Sequence, residues 1–424
     1  MGKAWQGSPL KEICSKIGSG ATPSGGNSVY LDDGEFALIR SQNVRNESFD
    51  HNGLAFIEKH HADKLSNVIV EDKDVLLNIT GDSVARCCQV DPKVLPARVN
   101  QHVAIIRPTP DILDSRYLRF YFLSPLMQNE MLSLAGVGAT RNALTKGMIE
   151  GFEIPLPSLP EQKAIAHILG SLDDKIELNR RMNATLEGMA QALFKSWFVD
   201  FDPVIDNALA AGNPIPDELA PRAEVRKKAL ASGTTQQGSV DQPTLSDPKS
   251  LFPAAFEFAE ELGWFPKGWT LQSFESLATL DTESVKPFEQ PSTVWEHYSI
   301  PSYDSTGMPS WDRGDEIRSN KYRVKPGAIL SSKLNPETER TWWPFMLDGD
   351  AAICSTEFMQ FVPTNLDEQA FVYSLIRSEP FQANILERVT GSTGSRQRAQ
   401  PKEITNIRIL ACGQNRRTQS PQAP

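Results

Sequence analysis

Residues 159–197 carry one long helical pattern, and its length limits how the chain can fold. Ser158 and Glu161 have the spacing of a capping box, and Pro160 falls in the first turn, where a missing N–H costs nothing. A helix of about 39 residues is roughly 58 Å long, longer than a domain of ordinary size is wide. Its apolar residues recur in steps of three and four and need a partner: Ile165, Ile168, Leu172, Met182, Leu186, Met189 and Leu193.

Two polar residues, Lys175 and Asn179, interrupt this apolar stripe. They suit a buried contact that sets the register with a partner helix. They equally suit solvated positions at a kink near Gly170 or Gly188. The sequence leaves both interpretations open.

The segments before and after the helix show the same succession of predicted strands, helices and loops, which indicates a duplicated unit. GVGATRNALTKGMIEGFEI aligns without a gap with GSTGSRQRAQPKEITNIRI, and this alignment pairs Arg141 with Arg396. Upstream of each lies an amphipathic helix broken around a proline, and before that two apolar strands around a turn-rich insert. We therefore predict an α+β fold, with two similar mixed α+β domains joined by a long spacer helix. Because few identities support the alignment, two unrelated α+β domains are the alternative.

Composition places the boundaries between these segments. One stretch is acidic and rich in Pro, Ala and Ser, which is typical of a surface linker, and it has room for one short helix around residues 220–231. The predicted segments are a first domain at 1–158, the spacer helix at 159–200, the linker at 201–262, a second domain at 263–410 and a polar tail at 411–424.

The net charge of −10 by itself argues against a nucleic-acid binder, because phosphate contacts need Lys and Arg. However, about half of the acidic excess lies in the linker stretch, and residues 388–417 carry mainly basic charge. The five cysteines include no C-x-x-C pair and the six histidines no metal-ligand spacing, so we expect reduced thiols, no metal and no cofactor. No segment reads as a signal peptide or membrane span, so we expect a cytoplasmic chain without a membrane partner.

Motifs of catalysis are weak. GSGATPSGG at residues 18–26 lacks the G-K-[ST] ending of a phosphate loop and favours a turn. EDKD at residues 71–74 is only a fragment of a nuclease-like carboxylate and lysine set, and the sequence has no N-P-P-Y or D-P-P-Y motif of an aminomethyltransferase. We therefore expect a chain that is not an enzyme.

Candidate DNA contacts come from short stretches that combine small residues with Arg, Lys, Asn or Gln. Small residues let the backbone approach a phosphate, while guanidinium and amide groups can pair with base edges in the major groove. Repetition of the Gly/Arg loops at matching positions favours binding over solvated turns. The candidates are Thr140, Arg141, Asn142, Lys146, Ser395, Arg396, Gln397 and Arg398 in and beside these loops, and Arg40, Gln42, Asn43, Ser332, Lys333 and Asn335 after two predicted strands.

The segment PLPSLPEQKAIAHILGSLDDKIELNRRMNATLEGMAQALFKSWFVDFDPV, the later ELGWFPKGW and the order of the units resemble the DNA-specificity subunits of type I restriction-modification systems. The resemblance extends over nearly the whole chain. It implies two target recognition domains that each read one half of a split site in double-stranded DNA. It also implies that the long helix separates these domains and binds adenine methyltransferase subunits through its apolar stripe. A restriction subunit would join through the complex, and the chain itself would be non-catalytic.

One departure from the family pattern concerns the C-terminus. Family members usually carry a second long helix after the second recognition domain, whereas ITNIRIL is followed here only by the polar ACGQNRRTQSPQAP. Three alternatives stay open: a second copy of the chain supplies that helix, methyltransferase helices cover the stripe, or the chain is a truncated and partly inactive form. A non-catalytic scaffold is the other class of function, although it leaves the repeated loops unexplained.

Overall fold

The computed structural model describes residues 5–46, 48–136, 142–232, 251–391 and 397–412. The chain divides into two compact units, Met1–Arg181 and Met182–Pro424, so the boundary falls inside the long helix and not at one of its ends. Each unit combines short helices with antiparallel and parallel strand pairs. The predicted α+β fold is confirmed.

Unit 1 contains ten strands and five short helices within its described residues, followed by the start of the long helix. The strands are β1 (Gly7–Pro9), β2 (Cys14–Ser19), β3 (Phe36–Ile39), β4 (Ala55–Ile57), β5 (Ile69–Val70), β6 (Val75–Asn78), β7 (Cys87–Gln89), β8 (Ala97–Val99), β9 (Val103–Pro108) and β10 (Glu153–Pro155). The helices are α1 (Leu10–Ile13), α2 (Lys59–Lys64), α3 (Ser115–Leu123), α4 (Pro125–Gly136), α5 (Lys146–Glu150) and the long α6 (Leu159–Phe194).

Unit 2 begins with two additional helices and a hairpin, and its later elements follow an order similar to that of unit 1. Its helices are α7 (Asp202–Ala211), α8 (Ala220–Ala231), α9 (Ile300–Thr306), α10 (Gln369–Ile376), α11 (Glu379–Glu387) and α12 (Pro401–Thr405). Its strands are β11 (Phe256–Ala259), β12 (Gly263–Pro266), β13 (Thr270–Ser273), β14 (Ala278–Asp281), β15 (Ser284–Val285), β16 (Val294–Tyr298), β17 (Ser310–Arg313), β18 (Lys321–Arg323), β19 (Ile329–Ser332), β20 (Thr341–Trp342), β21 (Ala352–Ser355), β22 (Phe358–Pro363), β23 (Val389–Thr390), β24 (Arg398–Ala399) and β25 (Arg408–Ala411).

The two units repeat one sheet topology. An antiparallel sheet has the order β2-β9-β6-β7 in unit 1 and β14-β22-β19-β20 in unit 2. A mixed sheet has the order β4-β3-β8-β5 in unit 1, and β17-β16-β21-β18 with the extra edge strand β15 in unit 2. In both mixed sheets the two central strands run parallel, and in both units the first strand of the repeat pairs with the last, β1 with β10 and β13 with β25. Each of the ten strands of unit 1 therefore has a counterpart in unit 2, as the predicted duplication requires.

Equivalent side chains hold equivalent places in the repeat. The two predicted helices broken around a proline are α3 with α4 and α10 with α11. At the break, Gln128 donates through Nε2 to the Phe122 carbonyl at 2.7 Å, and Gln382 donates in the same way to the Ile376 carbonyl at 2.7 Å. Each glutamine thereby satisfies a carbonyl at the end of the first helix, which has no partner within that helix.

The central strands β6 and β19 are buried along their whole length. This burial explains why each strand begins in the sequence with consecutive apolar residues, VLL in β6 and IL in β19, and not with an alternation of polar and apolar residues. Both strands end at a loop, and these loops lie at corresponding positions in the two units. The antiparallel sheets thus fix where each loop begins.

The long helix α6 spans 36 residues, about 54 Å, and continues into a wider helical turn at Lys195–Val199. Its predicted start and approximate length are confirmed. In unit 1, Gln162 donates through Nε2 to the Ile112 carbonyl at 3.0 Å, and Arg119 binds the Asp173 carboxylate at 2.7 Å. In unit 2, the Glu187 carboxylate binds Arg377. Side chains at both ends of the helix are thus fixed by hydrogen-bonded contacts to their own unit.

The stretch predicted as a linker contains two packed helices in its first half. The helix expected around residues 220–231 is α8, but α7 was not expected. Val204, Ile205 and Ala208 of α7 are buried, so this short apolar run within an acidic context is a packing face. Arg222 donates two hydrogen bonds to the Asp202 carboxylate, from Nε at 2.7 Å and from Nη2 at 2.6 Å. This bidentate contact joins α8 to α7.

In the described part of the chain, every helix is too short or too polar to cross a bilayer.

Asp202→Ala is expected to loosen α8, because it removes the buried carboxylate that Arg222 binds. Losing such a hydrogen bond costs about 1–3 kcal/mol, or roughly 5- to 150-fold faster amide exchange where α8 opens locally. Hydrogen-exchange mass spectrometry of residues 220–231 measures this effect. Glu224→Ala is the matched control, since it removes only an exposed pair with Lys227 on the same helix. Unchanged exchange in Asp202→Ala would contradict the assigned packing.

Candidate nucleic-acid interface

The candidate site in unit 1 is formed by two hydrogen-bonded backbone segments, residues 79–81 after β6 and residues 142–144. We call these two segments the first paired loop. Gly81 donates its N–H to the Asn142 carbonyl at 2.9 Å, and Leu144 donates to the Ile79 carbonyl at 2.8 Å. Between these two bonds, Thr80 and Ala143 form an isolated antiparallel bridge. The segment that leaves the Gly/Arg loop is therefore fixed against the end of a buried central strand.

The second paired loop, residues 333–335 against residues 397–399, repeats this arrangement in unit 2. Asn335 donates its N–H to the Gln397 carbonyl at 3.0 Å, and Ala399 donates to the Lys333 carbonyl at 2.9 Å. An antiparallel bridge again lies between the bonds, here joining Leu334 to Arg398. The two units thus use the same backbone frame with different side chains.

The turn at the end of each central strand has a positive φ at the same position. Gly81 has a φ of 74° and Asn335 a φ of 48°. Glycine adopts this left-handed region freely, and asparagine is among the few other residues that tolerate it. The backbone conformation therefore accounts in part for an asparagine at position 335, in addition to its predicted role in DNA contact.

Several predicted contact residues lie at the paired loops. Asn142 is exposed, and Gln397 and Lys333 are half-buried. Lys146 begins α5, exposed, with its ammonium group 3.5 Å from the Glu150 carboxylate. Ser332 is buried and donates to the Leu334 carbonyl at 2.9 Å, so it supports the loop from within. The predicted residues Thr140, Arg141, Ser395 and Arg396 lie outside the described residues.

The loop after β3 in unit 1 approaches the first paired loop. Asn78, the last residue of β6, donates through Nδ2 to the Ser41 carbonyl at 2.8 Å. An open cleft of about 450 Å³ is lined by side chains from four segments, among them Ser41, Thr80, His102 and Asn142. The structure therefore brings part of the predicted RSQN stretch to the Gly/Arg loop stem.

The three predicted residues of this stretch differ in their surroundings. Arg40 and Gln42 donate to the same carbonyl, that of Gly53, at 2.5 Å and 3.0 Å. Asn43 is fully buried, accepting from the Arg40 N–H at 3.0 Å and donating to the Asp50 carbonyl at 2.9 Å. Gln42 is exposed and can reach a ligand, whereas Asn43 holds the turn together.

Two residues that the sequence interpretation missed complete the paired loops. His102 lies immediately before β9 and its Nδ1 is 2.6 Å from the Thr80 hydroxyl. Glu357 lies immediately before β22 and binds the Arg398 guanidinium through both carboxylate oxygens, at 3.1 Å each. This carboxylate raises the pKa of Arg398 above its ordinary value, because it accepts hydrogen bonds from the guanidinium and carries the opposite charge. A sequence alignment of β9 with β22 would have paired these two residues, because each immediately precedes its strand.

The weak catalytic motifs have structural explanations. A Cβ atom at Gly20 would lie 1.8 Å from the Val99 carbonyl oxygen, so the glycine-rich loop packs against the backbone before β9. In the EDKD stretch, Asp74 is buried and accepts two bonds from Arg107, at 2.7 Å and 2.8 Å. Among the described residues, no three His, Cys, Asp or Glu side chains converge as metal ligands. Burial raises the pKa of Cys354 to about 12, which keeps this thiol protonated and unreactive.

The predicted partner surface lies along α6. Ile165 is half-buried and packs against the core of unit 1. The other six residues of the stripe are between 39% and 61% exposed. Lys175 and Asn179 are exposed as well. The helix thus presents large apolar side chains to its surroundings over most of its length.

Comparison with known proteins gives consistent matches. Residues 2–188 match the family described as Type I restriction modification DNA specificity domain. The chain is 31% identical over 197 residues to the type I restriction enzyme HindI specificity subunit of Haemophilus influenzae, covering 43% of this chain and 42% of that protein. It is 28% identical over 227 residues to the MjaIX specificity subunit of Methanocaldococcus jannaschii, covering 53% and 51%. It therefore spans about half the length of these relatives.

A solved structure is also similar. The crystal structure of a type I restriction-modification S subunit from M. genitalium covers 98% of this chain and 87% of that chain, with a TM-score of 0.47 and 12% identity.

Asn43→Ala is expected to destabilise the protein in the absence of any DNA, because it leaves buried backbone groups without their amide partner. The expected loss is about 1–3 kcal/mol, seen as a lower midpoint of thermal unfolding. Gln42→Ala, one residue away and exposed, is expected to leave the midpoint within error. Equal midpoints for Asn43→Ala and wild type would show that the buried amide does not support the turn.

Proposed function

Because residues 2–188 match the family of type I restriction-modification DNA specificity domains, we propose that the chain is the sequence-reading subunit of such a system. It reads a bipartite target in double-stranded DNA, one half-site with each α+β unit. The observation that carries this proposal is the repetition of the paired loop, with equivalent backbone bonds at residues 79–81 and 333–335. Two copies of one loop frame with different side chains suit two different half-sites.

The side chains at these loops have the chemistry of base and phosphate recognition. Asn142 and Gln397 carry amides that can pair with the N6 and N7 atoms of adenine in the major groove, and Lys333 carries a cation for phosphate or guanine. The predicted Arg141 and Arg396 would add guanidinium groups that bind guanine through two bonds. The net charge of −10 does not oppose this, since contact depends on local charge at the loops.

The chemistry of the system belongs to its other subunits. The relatives are named specificity subunits, in agreement with the expectation that this chain is not an enzyme. We propose that it directs adenine methylation by methyltransferase subunits and restriction by a further subunit of the same complex. A methyltransferase must take its target base out of the duplex, so the specificity chain need only place that enzyme over the correct adenine.

The exposed stripe of α6 is the proposed docking surface for the methyltransferase. Six large apolar side chains remain exposed there, two before and four after the exposed Lys175 and Asn179. Groups of exposed apolar side chains mark protein interaction sites. A partner helix can bury such a stripe by packing side chains into the grooves between its turns. The occupant favoured here is therefore a helical surface of the methyltransferase.

Arg141→Ala is expected to relax recognition of one half-site, and Arg396→Ala recognition of the other. Each good base contact contributes roughly 1–3 kcal/mol of discrimination. Methylation-site mapping with the methyltransferase present measures both half-sites at once. Arg313→Ala, an exposed arginine on β17 outside the paired loops, is the control and should change neither. If both substitutions weaken binding to all sequences equally, these arginines contact phosphate only.

Inserting four residues after Asn179 is expected to change the separation of the half-sites and not their sequences. The insertion adds about one helical turn, ~6 Å, and rotates the residues C-terminal to it by roughly 40°. At ~3.4 Å per base pair, the preferred separation should grow by one or two base pairs. The same four residues inserted between positions 233 and 250, outside the helix, are the matched control. An altered half-site sequence, or a separation changed by the control alone, would assign the spacing to another segment.

A further inference from the structure

In each unit, one side chain immediately before the long strand of the antiparallel sheet closes the paired loop. In unit 1 this is His102, whose Nδ1 lies 2.6 Å from the Thr80 hydroxyl oxygen. In unit 2 it is Glu357, which binds Nε and Nη2 of Arg398 at 3.1 Å each. One contact is a hydrogen bond between a histidine and a hydroxyl and the other an ion pair, yet each reaches one residue of the bridge in its own paired loop, Thr80 in unit 1 and Arg398 in unit 2.

The backbone shows that His102 and Glu357 occupy the same position. Ile79 donates its N–H to the His102 carbonyl at 3.0 Å, and Lys333 donates to the Glu357 carbonyl at 2.9 Å. Ile79 and Lys333 are themselves the first residues of the two paired loops. Each closing residue therefore fixes its loop through its backbone, and a second time through its side chain.

The second ring nitrogen of His102 also has a hydrogen-bond partner. The Gln101 amide nitrogen lies 2.9 Å from Nε2 of His102, and its oxygen accepts from the Thr22 hydroxyl at 2.5 Å. A chain of hydrogen bonds thus connects the glycine-rich loop at residues 18–26 to the first paired loop.

Arg398 was a predicted DNA contact, but its guanidinium already has a ligand. The fork formed by Nε and Nη2 is the arrangement with which arginine binds a carboxylate or a guanine edge, and Glu357 occupies it. A base could take this place only by displacing the carboxylate. Arg398 also immediately follows Gln397, the residue whose carbonyl accepts from Asn335.

We propose that His102 and Glu357 are positioning residues that set half-site specificity, and that Arg398 acts through Glu357 and not on DNA bases. They fix the ends of the two central strands at the paired loops, against which residues 142–144 and 397–399 are hydrogen-bonded, so that the side chains of Asn142 and Gln397 meet base pairs at a lower ordering cost. This inference rests on the proposed function, since it assigns the geometry of the same two loops.

The test compares Glu357→Ala, Arg398→Glu, the exchanged pair Glu357→Arg with Arg398→Glu, and His102→Ala. Each full-length chain, assembled with its methyltransferase, selects from a library of DNA duplexes randomised over both half-sites. Glu357→Ala and Arg398→Glu are expected to lower discrimination at one half-site by roughly 5- to 150-fold per affected base pair. His102→Ala should do the same at the other half-site. Thermal unfolding of each variant identifies any loss of folding.

The exchanged pair decides the assignment. It restores the ion pair while placing a carboxylate at position 398, so recovered discrimination means that Arg398 only positions the loop. Failure of the folded exchanged pair to recover, with Glu357→Ala close to wild type, would show that Arg398 contacts DNA and would overturn the inference. Loss at both half-sites from either single change would also overturn it. A wild-type complex that selects no bipartite sequence would instead refute the proposed function.

Discussion

Two pairs of backbone hydrogen bonds, one in each unit, are the constraint on which the candidate site depends. They tie the end of a buried central strand to the segment that leaves the Gly/Arg loop, through Gly81 and Asn142 in one unit and Asn335 and Gln397 in the other. Because these bonds use only backbone atoms, the side chains at the same positions are free to differ. A duplicated fold can thereby present two different recognition surfaces on one frame.

The side-chain contacts that support these backbone bonds differ between the two units, although they come from equivalent positions. Position 102 carries a histidine that binds a hydroxyl, and position 357 carries a glutamate that binds an arginine. Both contacts span residues distant in sequence, and each reaches the bridge of its own paired loop. A histidine–hydroxyl hydrogen bond and an ion pair can serve the same purpose because each holds one residue of the bridge in place, Thr80 in unit 1 and Arg398 in unit 2.

The polar and the apolar residues of the long helix have different roles. Polar residues such as Gln162 and Glu187 bind groups of the unit to which they belong. Apolar residues such as Leu172 and Met189 stay exposed. A helix that served only as a covalent connection would need no such stripe, so the exposed apolar face is consistent with a docking surface.

The sequence by itself determined the α+β class and the long helix, because periodicity and capping are local signals that survive without tertiary context. It indicated the duplication but left two unrelated domains as the alternative. It also placed α8, whose pattern is complete within twelve residues. Only the tertiary structure decided that α7 packs within the acidic stretch, that Asn43 is buried, and that Arg398 is bound by Glu357. The physical reason is separation along the chain: the Glu357 and Arg398 contact joins residues 41 positions apart, and neither residue type nor spacing specifies such a partner.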